Sequence, residues 1–556
     1  MPKYRILIAD GLEPAGVELL QREKDFTVDV RNEINPEELL RILPGYDALI
    51  IRSKTKVTRE LLAVSSRLKI ITRSGIGVDN IDIEAATECG VLVTNVPAAS
   101  TNAVSEHALG LMIALIRNII PANADLKSGR WNPPRYIGTE LKDKTLGIVG
   151  LGRIGSALAK KALSLGMTVF AYDPYKNDEW FKEQRVDRLA TLENLIANAD
   201  FISLHVPKTA ETTGMISAAA LKHCRPGSYL INTARGGVVN ETALLEALNN
   251  NMLLGAALDV FEKEPPEDFT LTSLALIAHP RVIATPHTGG STREARKAIA
   301  IETAENIIRY LTLDKINNAV NTPHVPEEEF NELQPYLQLG KRLMKLLASI
   351  TPFRPSAATI AVSGISQPQA AVVQNLLTRT LMEELLATKI PNGEEDRTKL
   401  AYVNAPIIAE AYGINVSLRI ETTAQSGNHI KITLENADKR DVGKMEITGM
   451  LHDGRDGIEP RVSSIDGCPL ESQFGEWMLF YRNRNVPGII GKVGTALGEY
   501  GVNIDSMTNN SSAVGEAINI LRLSFSKETN AAAALQLERE LASIPAISYA
   551  KLVQMS

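Results

Sequence analysis

The chain has 556 residues, a formal net charge of −6, and 44% hydrophobic, 22% charged and 5% aromatic residues. That length exceeds what one hydrophobic core organises and predicts about three to five domains. The mild negative charge, spread without long single-sign runs, argues against a nucleic-acid partner. The longest uncharged apolar stretch of the first half, Ala108 to Ile116, stops at Arg117, far short of the roughly 20 residues of a membrane span, so no membrane segment is expected. The opening MPKYRILIAD enters an apolar strand at once, with neither a signal-peptide core nor an Arg- and Ser-rich transit segment, and the expected location is the cytoplasm. Cys89, Cys224 and Cys468 lie far apart without CxxC spacing, which supports neither disulfides nor a metal site; all three are expected to be buried, reduced thiols.

The first β-rich runs, Tyr4–Ala9, Ala48–Ile51, Lys69–Thr72 and Val91–Thr94, alternate with helix-like segments, the pattern of βαβ units in a parallel sheet. Ser105–Ile120 shows helical spacing. A second βα series begins at Thr145 and continues through Thr168–Tyr172, Phe201–His205, Ser228–Asn232 and Val282–Ala284. A long helical pattern, Arg293–Leu311, would return the chain to the first unit, and the Pro-containing stretch Asn321–Pro326 reads as a linker. Beyond it, helical Leu333–Leu347 and Gln369–Thr388 accompany extended Ala357–Val362, Asn415–Glu421 and His429–Leu434, an α+β region with no constellation assigned to chemistry. The last stretch reads strand Trp477–Arg482, helix Ile489–Tyr500, strand, strand Asn519–Ser526, helix Ala531–Ser543, strand Ile547–Val553. That is βαββαβ, the ferredoxin-like order.

The chemistry is concentrated between residues 145 and 290. GLGRIG, Gly150 to Gly155, follows the apolar run Thr145–Val149 and opens a helix-like stretch. Gly150 permits a tight turn, Gly152 lets backbone approach a pyrophosphate, and Gly155 allows close helix packing, while the helix N-terminus offers N–H donors. Eighteen residues after Gly155, Asp173 stands where an acid would bond the adenosine ribose, and no arginine follows in Pro174, Tyr175 or Lys176; NAD is preferred over NADP. Arg235, Glu264 and His287 then come in order. Oxidising a 2-hydroxy acid needs a cation for the carboxylate and a base for the hydroxyl proton. A guanidinium fork binds a carboxylate bidentately, and a carboxylate beside an imidazole orients it and raises its basicity.

With these residues in view, the chain resembles the D-isomer-specific 2-hydroxyacid dehydrogenases, and within them the long, serine-biosynthetic D-3-phosphoglycerate dehydrogenases. The resemblance rests on SGIGVDNID (Ser74 to Asp82), GTELKDKTLGIVGLGRIG (Gly138 to Gly155), NTARGGVV (Asn232 to Val239), ALDVFEKEPP (Ala257 to Pro266) and PHTGGST (Pro286 to Thr292). It implies that Arg235 binds the carboxylate and carbonyl, that His287 is the acid/base with Glu264 its partner, and that Ile76, Arg153, Ile154, Asp173, Val206, Thr233, Ala234, Arg235, Asp259, His287 and Gly290 contact NAD. The fold it implies is two doubly wound Rossmann-like domains, 1–98 with 292–320 for substrate and 99–291 for NAD, then an α+β intervening domain, 321–470, and a ferredoxin-like ACT domain, 477–556.

Close relatives use the same trio on other 2-hydroxy acids, so the substrate phosphate is the discriminator. Arg52, Lys54, Lys56 and Arg73 sit at or just after strand ends, where a doubly wound sheet binds ligands. Arg52 and Arg73, with Ser74 and Gly75, match substrate positions of the family, whereas Lys54 and Lys56 read equally well as a solvated basic loop. In GRWNPPR, Pro133 and Pro134 intervene before Arg135, which departs from the family's basic run and puts a cross-subunit phosphate contact from Arg130 or Arg135 in doubt. The tail's NRNVPGIIGKVGTALGEYGVNI, Asn483 to Ile504, resembles an ACT domain, and that resemblance implies edge-to-edge pairing and an L-serine effector, with Asn483, Asn485 and Asn503 as candidate ligands. Family members form dimers or tetramers, so a homo-oligomer is expected. Two alternatives stay open: a hydroxypyruvate or glyoxylate reductase of the same family, and a dinucleotide-sensing regulator without turnover.

Overall fold

The computed structural model describes residues 2–264, 268–323, 327–365, 370–391, 399–421, 428–436, 443–454, 457–511, 515–525 and 531–555. Pro265, Pro266, the linker residues 324–326, Gln369 and Ser526 lie outside them. The chain divides into two compact units, Met1–Lys56, Ile70–Ile81 and Thr94–Asn318 in one, Val57–Lys69, Asp82–Val93 and Ala319–Ser556 in the other.

The first unit holds the two sheets that matter for chemistry, except for Leu92 and Val93 of the first sheet, which belong to the second unit. Strands β1 (Tyr4–Ile8), β2 (Phe26–Val30), β3 (Ala48–Ile51), β4 (Ile70–Arg73) and β5 (Leu92–Thr94) lie in the order β2-β1-β3-β4-β5. The pairs β1/β2, β1/β3 and β3/β4 are parallel. Each residue of β3 is buried, as a strand covered on both faces requires. The second sheet, β6 (Thr145–Val149), β7 (Thr168–Tyr172), β8 (Asp187–Arg188), β9 (Phe201–Leu204), β10 (Ser228–Asn232), β11 (Leu253–Leu258) and β12 (Val282–Ala284), runs β12-β11-β10-β9-β6-β7-β8. Its order reverses between β6 and β9, the switch point where doubly wound sheets bind ligands. Strand β11 was not anticipated: its run Leu253–Leu258 lies partly inside the string ALDVFEKEPP, whose charged second half hides the strand.

The expected helix Ser105–Ile120 is two helices, Thr101–Ile116 and Ile119–Lys127. Asn118 between them adopts a left-handed backbone, φ 51°, which a short polar side chain tolerates, and the pair bends by 64°. Among the described residues no single helix is long and apolar enough to cross a membrane. The helix Arg293–Leu313 does return to the first sheet. It crosses the helix Pro14–Gln21 so closely that a Cβ on Gly16 would stand 2.5 Å from the Ala300 carbonyl oxygen.

In the second unit, β13 (Ala357–Ser363), β14 (Asn415–Glu421), β15 (His429–Glu435), β16 (Lys444–Gly454), β17 (Gly457–Ile465) and β18 (Cys468–Gln473) form a sheet in the order β14-β13-β15-β16-β17-β18. The last three strands were not read from sequence; β17 contains Pro460 and opens with Gly457, which weaken a strand signal. The tail forms β19 (Trp477–Arg484), a helix Ile489–Glu499, β20 (Val502–Ser511), β21 (Glu516–Phe525), a helix Ala531–Ser543 and β22 (Ile547–Gln554), with sheet order β20-β21-β19-β22. Strand period decides its packing. Leu479, Tyr481, Leu521 and Leu523 face the tail's own helices, whereas Met478, Phe480, Ile518, Ile520 and Val553 join the core of the preceding region. The two C-terminal regions therefore share one core. Thr508 and Asn510 of β20 also donate to the Glu471 and Pro469 carbonyls of β18, at 2.8 and 2.9 Å.

The cysteines are unpaired: Cys468 is buried, while Cys89 and Cys224 are partly so. Burial pushes the Cys224 thiol up to about 11, an inert thiol.

Candidate active site

The dinucleotide loop is built as its glycines require. Gly150 has φ +92°, and a Cβ there would stand 2.7 Å from the His205 carbonyl oxygen. On Gly155 a Cβ would meet the Gly150 oxygen at 2.2 Å, whereas on Gly152 it would meet nothing within 4 Å. The first and third glycines are thus packed against protein, and the second faces open space. The helix begins at Arg153, inside the glycine motif, with Gly152 as its N-cap; Arg153, Ile154 and Gly155 therefore present first-turn N–H groups, which no helix can satisfy internally. Asp173 follows β7, and its carboxylate accepts the Leu151 N–H at 2.9 Å and the Tyr175 N–H at 3.0 Å.

Val206, Thr233 and Ala234 follow β9 and β10 on the same edge of the sheet. The Thr233 hydroxyl is buried with no hydrogen-bond partner. An orphaned hydroxyl of this kind costs free energy unless a ligand takes it up. With the open face of Gly152 and the free helix N-terminus, it makes this edge fit a dinucleotide.

Downstream, Asp259 organises the histidine loop. Its buried carboxylate takes the Thr285 hydroxyl at 2.6 Å and the Thr288 and Gly289 N–H groups at 2.8 Å each, with His107 Nε2 at 3.3 Å. Its carbonyl accepts the His287 N–H at 2.9 Å. Burial pushes this carboxyl up, but the His107 and Thr285 bonds and the two backbone donors outweigh burial and hold it below its ordinary value. The loop so gripped keeps His287 in a left-handed backbone, φ 52°, a strained conformation that surrounding structure must impose. His287 Nδ1 lies 2.7 Å from Glu264 Oε2, and Glu264 Oε1 accepts the Phe261 N–H at 2.9 Å. Gly290 leaves room, with a Cβ there 3.6 Å from that of Ser100.

Arg235 follows β10. Its Nε donates to Asp79 at 3.1 Å and one terminal nitrogen donates to the Ala234 carbonyl at 2.7 Å. A Cβ on Gly77 would stand 2.2 Å from the other terminal nitrogen. Arg73 ends β4; a Cβ on Gly75 would overlap its guanidinium at 1.6 Å. Its Nε is buried without a partner. Burial, then the neighbouring charges of Arg235 and Arg52, push Arg73 down to about 10. The arginines from three segments therefore converge on one place. Arg52 is anchored through its backbone, its N–H donating to Asp10 at 2.7 Å and its carbonyl accepting from Asn80 at 2.8 Å, so its side chain extends from a fixed point. Lys54 and Lys56 are exposed. Ser74 is buried, its hydroxyl accepting from Thr303 at 3.1 Å, and Ile76 accepts from Asn95 at 2.6 Å through its carbonyl.

Arg130 and Arg135 both bond Asp125 of their own chain, at 2.6 and 3.3 Å, and the Tyr136 hydroxyl joins them there. Asp125 and Asp79 were not singled out from sequence; Asp79 lay within the quoted SGIGVDNID, and Asp125 had no motif around it. Of the effector candidates, Asn483 is buried and accepts from Asn519 at 2.7 Å, and Asn485 donates to Ser511 at 3.0 Å. Asn503 pairs with Ser524, whereas Asn483 pairs with Ala517, which also faces Ser511. Asn503 and Ser511 stand eight positions apart on β20, so one chain holds the candidates about 25 Å apart along the strand. Among the described residues no group of three or more His, Cys, Asp or Glu is arranged to hold a metal ion.

Residues 109–289 match the NAD-binding domain of the D-isomer specific 2-hydroxyacid dehydrogenases. The chain is 38% identical over 532 residues to the D-3-phosphoglycerate dehydrogenase of Synechocystis, covering 93% of this chain and 90% of that one. It is 34% identical over 553 residues to that of Bacillus subtilis, covering 99% and 100%. Among solved structures, a D-lactate dehydrogenase of Aquifex aeolicus complexed with NAD and lactic acid superposes with TM-score 0.52 at 30% identity, covering 57% of this chain and all 100% of that one. A protein from Thermus thermophilus does so with TM-score 0.52 at 34% identity, covering 57% and 99%. The chain is an NAD-binding oxidoreductase, and it belongs to the D-3-phosphoglycerate dehydrogenases of the D-isomer-specific 2-hydroxyacid dehydrogenase family.

Proposed function

We propose that this protein oxidises 3-phospho-D-glycerate to 3-phosphohydroxypyruvate with NAD, the first step of L-serine synthesis. The observation that carries the choice of substrate is Arg73, partly buried, with its buried Nε–H unpartnered and its charge disfavoured by burial, Arg235 and Arg52. A cluster of like charges held partly out of water is stabilised by an anion with several acceptor oxygens, as a phosphate dianion has. Bound NAD would accept the hydride from C2 of the substrate. A carboxylate only accepts hydrogen bonds, so Glu264 fixes the proton of His287 on Nδ1 and leaves the Nε2 lone pair to take the hydroxyl proton. Arg235, its Nε held by Asp79 and one terminal nitrogen by the Ala234 carbonyl, turns its other terminal nitrogen to the substrate carboxylate. Thr233 and the first turn after Gly152 bind the dinucleotide, and Asp173 the ribose.

The test compares turnover of 3-phosphoglycerate with that of unphosphorylated D-glycerate and D-lactate. Equal or better use of the latter pair sinks the substrate assignment.

We further assign residues 1–98 with 292–320 to substrate, 99–291 to NAD, 321–470 to an intervening domain and 477–556 to an ACT domain, and we place the enzyme in the cytoplasm as a homo-oligomer. Support for the oligomer is the number of exposed large apolar side chains between residues 119 and 137, Trp131 and Ile137 each 82% exposed and Ile119, Ile120 and Leu126 exposed as well; a second copy would cover them. L-Serine is the proposed effector. The separation of Asn503 from Asn483 and Asn485 means that a site made from all three takes them from two copies.

A further inference from the structure

The peptide that joins Leu151 to Gly152 is held from outside the loop. The Trp180 indole N–H donates to the Leu151 carbonyl at 2.8 Å, while the Ser156 hydroxyl reaches the same oxygen at a longer 3.4 Å. Trp180 lies on the helix Asp178–Gln184, whose N-cap Asn177 accepts the Trp180 backbone N–H at 3.0 Å. Its ring packs against the core beneath the second sheet, with the Lys176 ammonium 4.3 Å above it. Leu151 stands between Gly150 and Gly152, so its flanking torsions are unusually free. The preceding peptide is fixed by Asp173; the following one depends chiefly on the indole.

We infer that Trp180 is a positioning residue for the cofactor pyrophosphate. In a planar trans peptide the carbonyl and the next N–H point in opposite directions. Tying the Leu151 carbonyl to Trp180 aims the Gly152 N–H away from that helix, on the residue where an added Cβ would meet open space. The indole thereby orients one phosphate donor before any ligand arrives. This rests on the assignment of the loop to NAD.

The test is direct calorimetric titration of the full-length protein and its Trp180→Phe variant with NAD, ADP-ribose and adenosine. Phenylalanine keeps the apolar packing and removes only the donor. Loss of one net hydrogen bond weakens NAD and ADP-ribose roughly three- to tenfold, leaves adenosine unchanged because it has no pyrophosphate, raises the KM for NAD and leaves kcat at saturation within about twofold. Equal NAD affinity in the two proteins overturns the proposal, as does an equal loss for adenosine, which would mean general damage to the site. Failure of the unsubstituted protein to bind NAD would instead overturn the cofactor assignment beneath it. Should the variant not fold, a protein carrying Trp131→Phe and Trp477→Phe leaves Trp180 as the sole indole. NAD must then shift its emission, and a constant spectrum overturns the proposal.

Discussion

His287 Nδ1 meets Glu264 Oε2 at 2.7 Å while the second Glu264 oxygen is held by the Phe261 N–H. Both carboxylate oxygens are used, so the imidazole ring has one orientation and its Nε2 one direction. Glu264→Gln presents an amide that offers a donor as readily as an acceptor. Turnover with 3-phosphoglycerate should fall roughly 10- to 100-fold, the usual cost of losing an orienting partner, with NAD affinity within about twofold. His287→Ala should abolish turnover and leave NAD binding nearly intact. Steady-state kinetics beside calorimetry checks both, and lost NAD binding in either variant would identify a structural role instead.

Arg73 ties activity to instability. Its folded-state value, about 10, lies below the ordinary arginine value, so the unfolded chain holds that proton more tightly. The destabilisation is fully present below about pH 10 and fades as pH rises from there toward the ordinary arginine value. Arg73→Met should therefore stabilise the ligand-free protein at neutral pH, by about 1 kcal/mol, and raise the KM for 3-phosphoglycerate at least tenfold. Thermal melts with and without substrate test both halves; a lower Tm for the ligand-free variant contradicts the first.

Gly77 makes room for Arg235. Because an added Cβ would stand 2.2 Å from a terminal nitrogen of that guanidinium, Gly77→Ala should push the fork out of line. The KM for substrate should rise at least tenfold with NAD binding unchanged. An unaltered KM would show that the arginine relaxes around the methyl group.

Asp259 is predicted to hold the catalytic loop. Asp259→Ala removes an acceptor from Thr285, Thr288 and Gly289 together and should cost about 2–3 kcal/mol of stability in denaturant melts, with kcat falling because His287 loses its imposed backbone. Since the folded carboxyl lies below its usual 3.8, its contribution is complete above about pH 4 and is lost only as pH falls further. A variant with native stability would show that other contacts fix the loop.

If serine binds between two copies, Asn503→Ala and Asn483→Ala should each abolish inhibition by millimolar serine. A mixture of the two variants should regain part of it, because one paired site then keeps all its ligands. Inhibition that persists in both variants removes these residues from the effector site.

Much of the active site was legible because its parts are local. GLGRIG bends, caps and packs through three glycines within six residues, and Asp173 follows a strand whose length fixes its position. The strands β16 to β18 were not legible, since antiparallel strands covered on one face and broken by Gly and Pro give a weak pattern. Arg130 and Arg135 were ambiguous for a related reason: a run of charges states nothing about its partner, and Asp125 proves to be that partner.

The sequence by itself determined the cofactor loop, the order of the catalytic types and the alternation of strands and helices, because these depend on backbone torsion, side-chain chemistry and period. Tertiary structure decided which charges meet. It brought Arg73, Arg235 and Arg52 from three segments to one place, gripped the His287 loop with Asp259 and set Asn503 far along the strand from Asn483. Such relations depend on how strands distant in the chain line up, and desolvation and like-charge repulsion arise only once that packing has removed water.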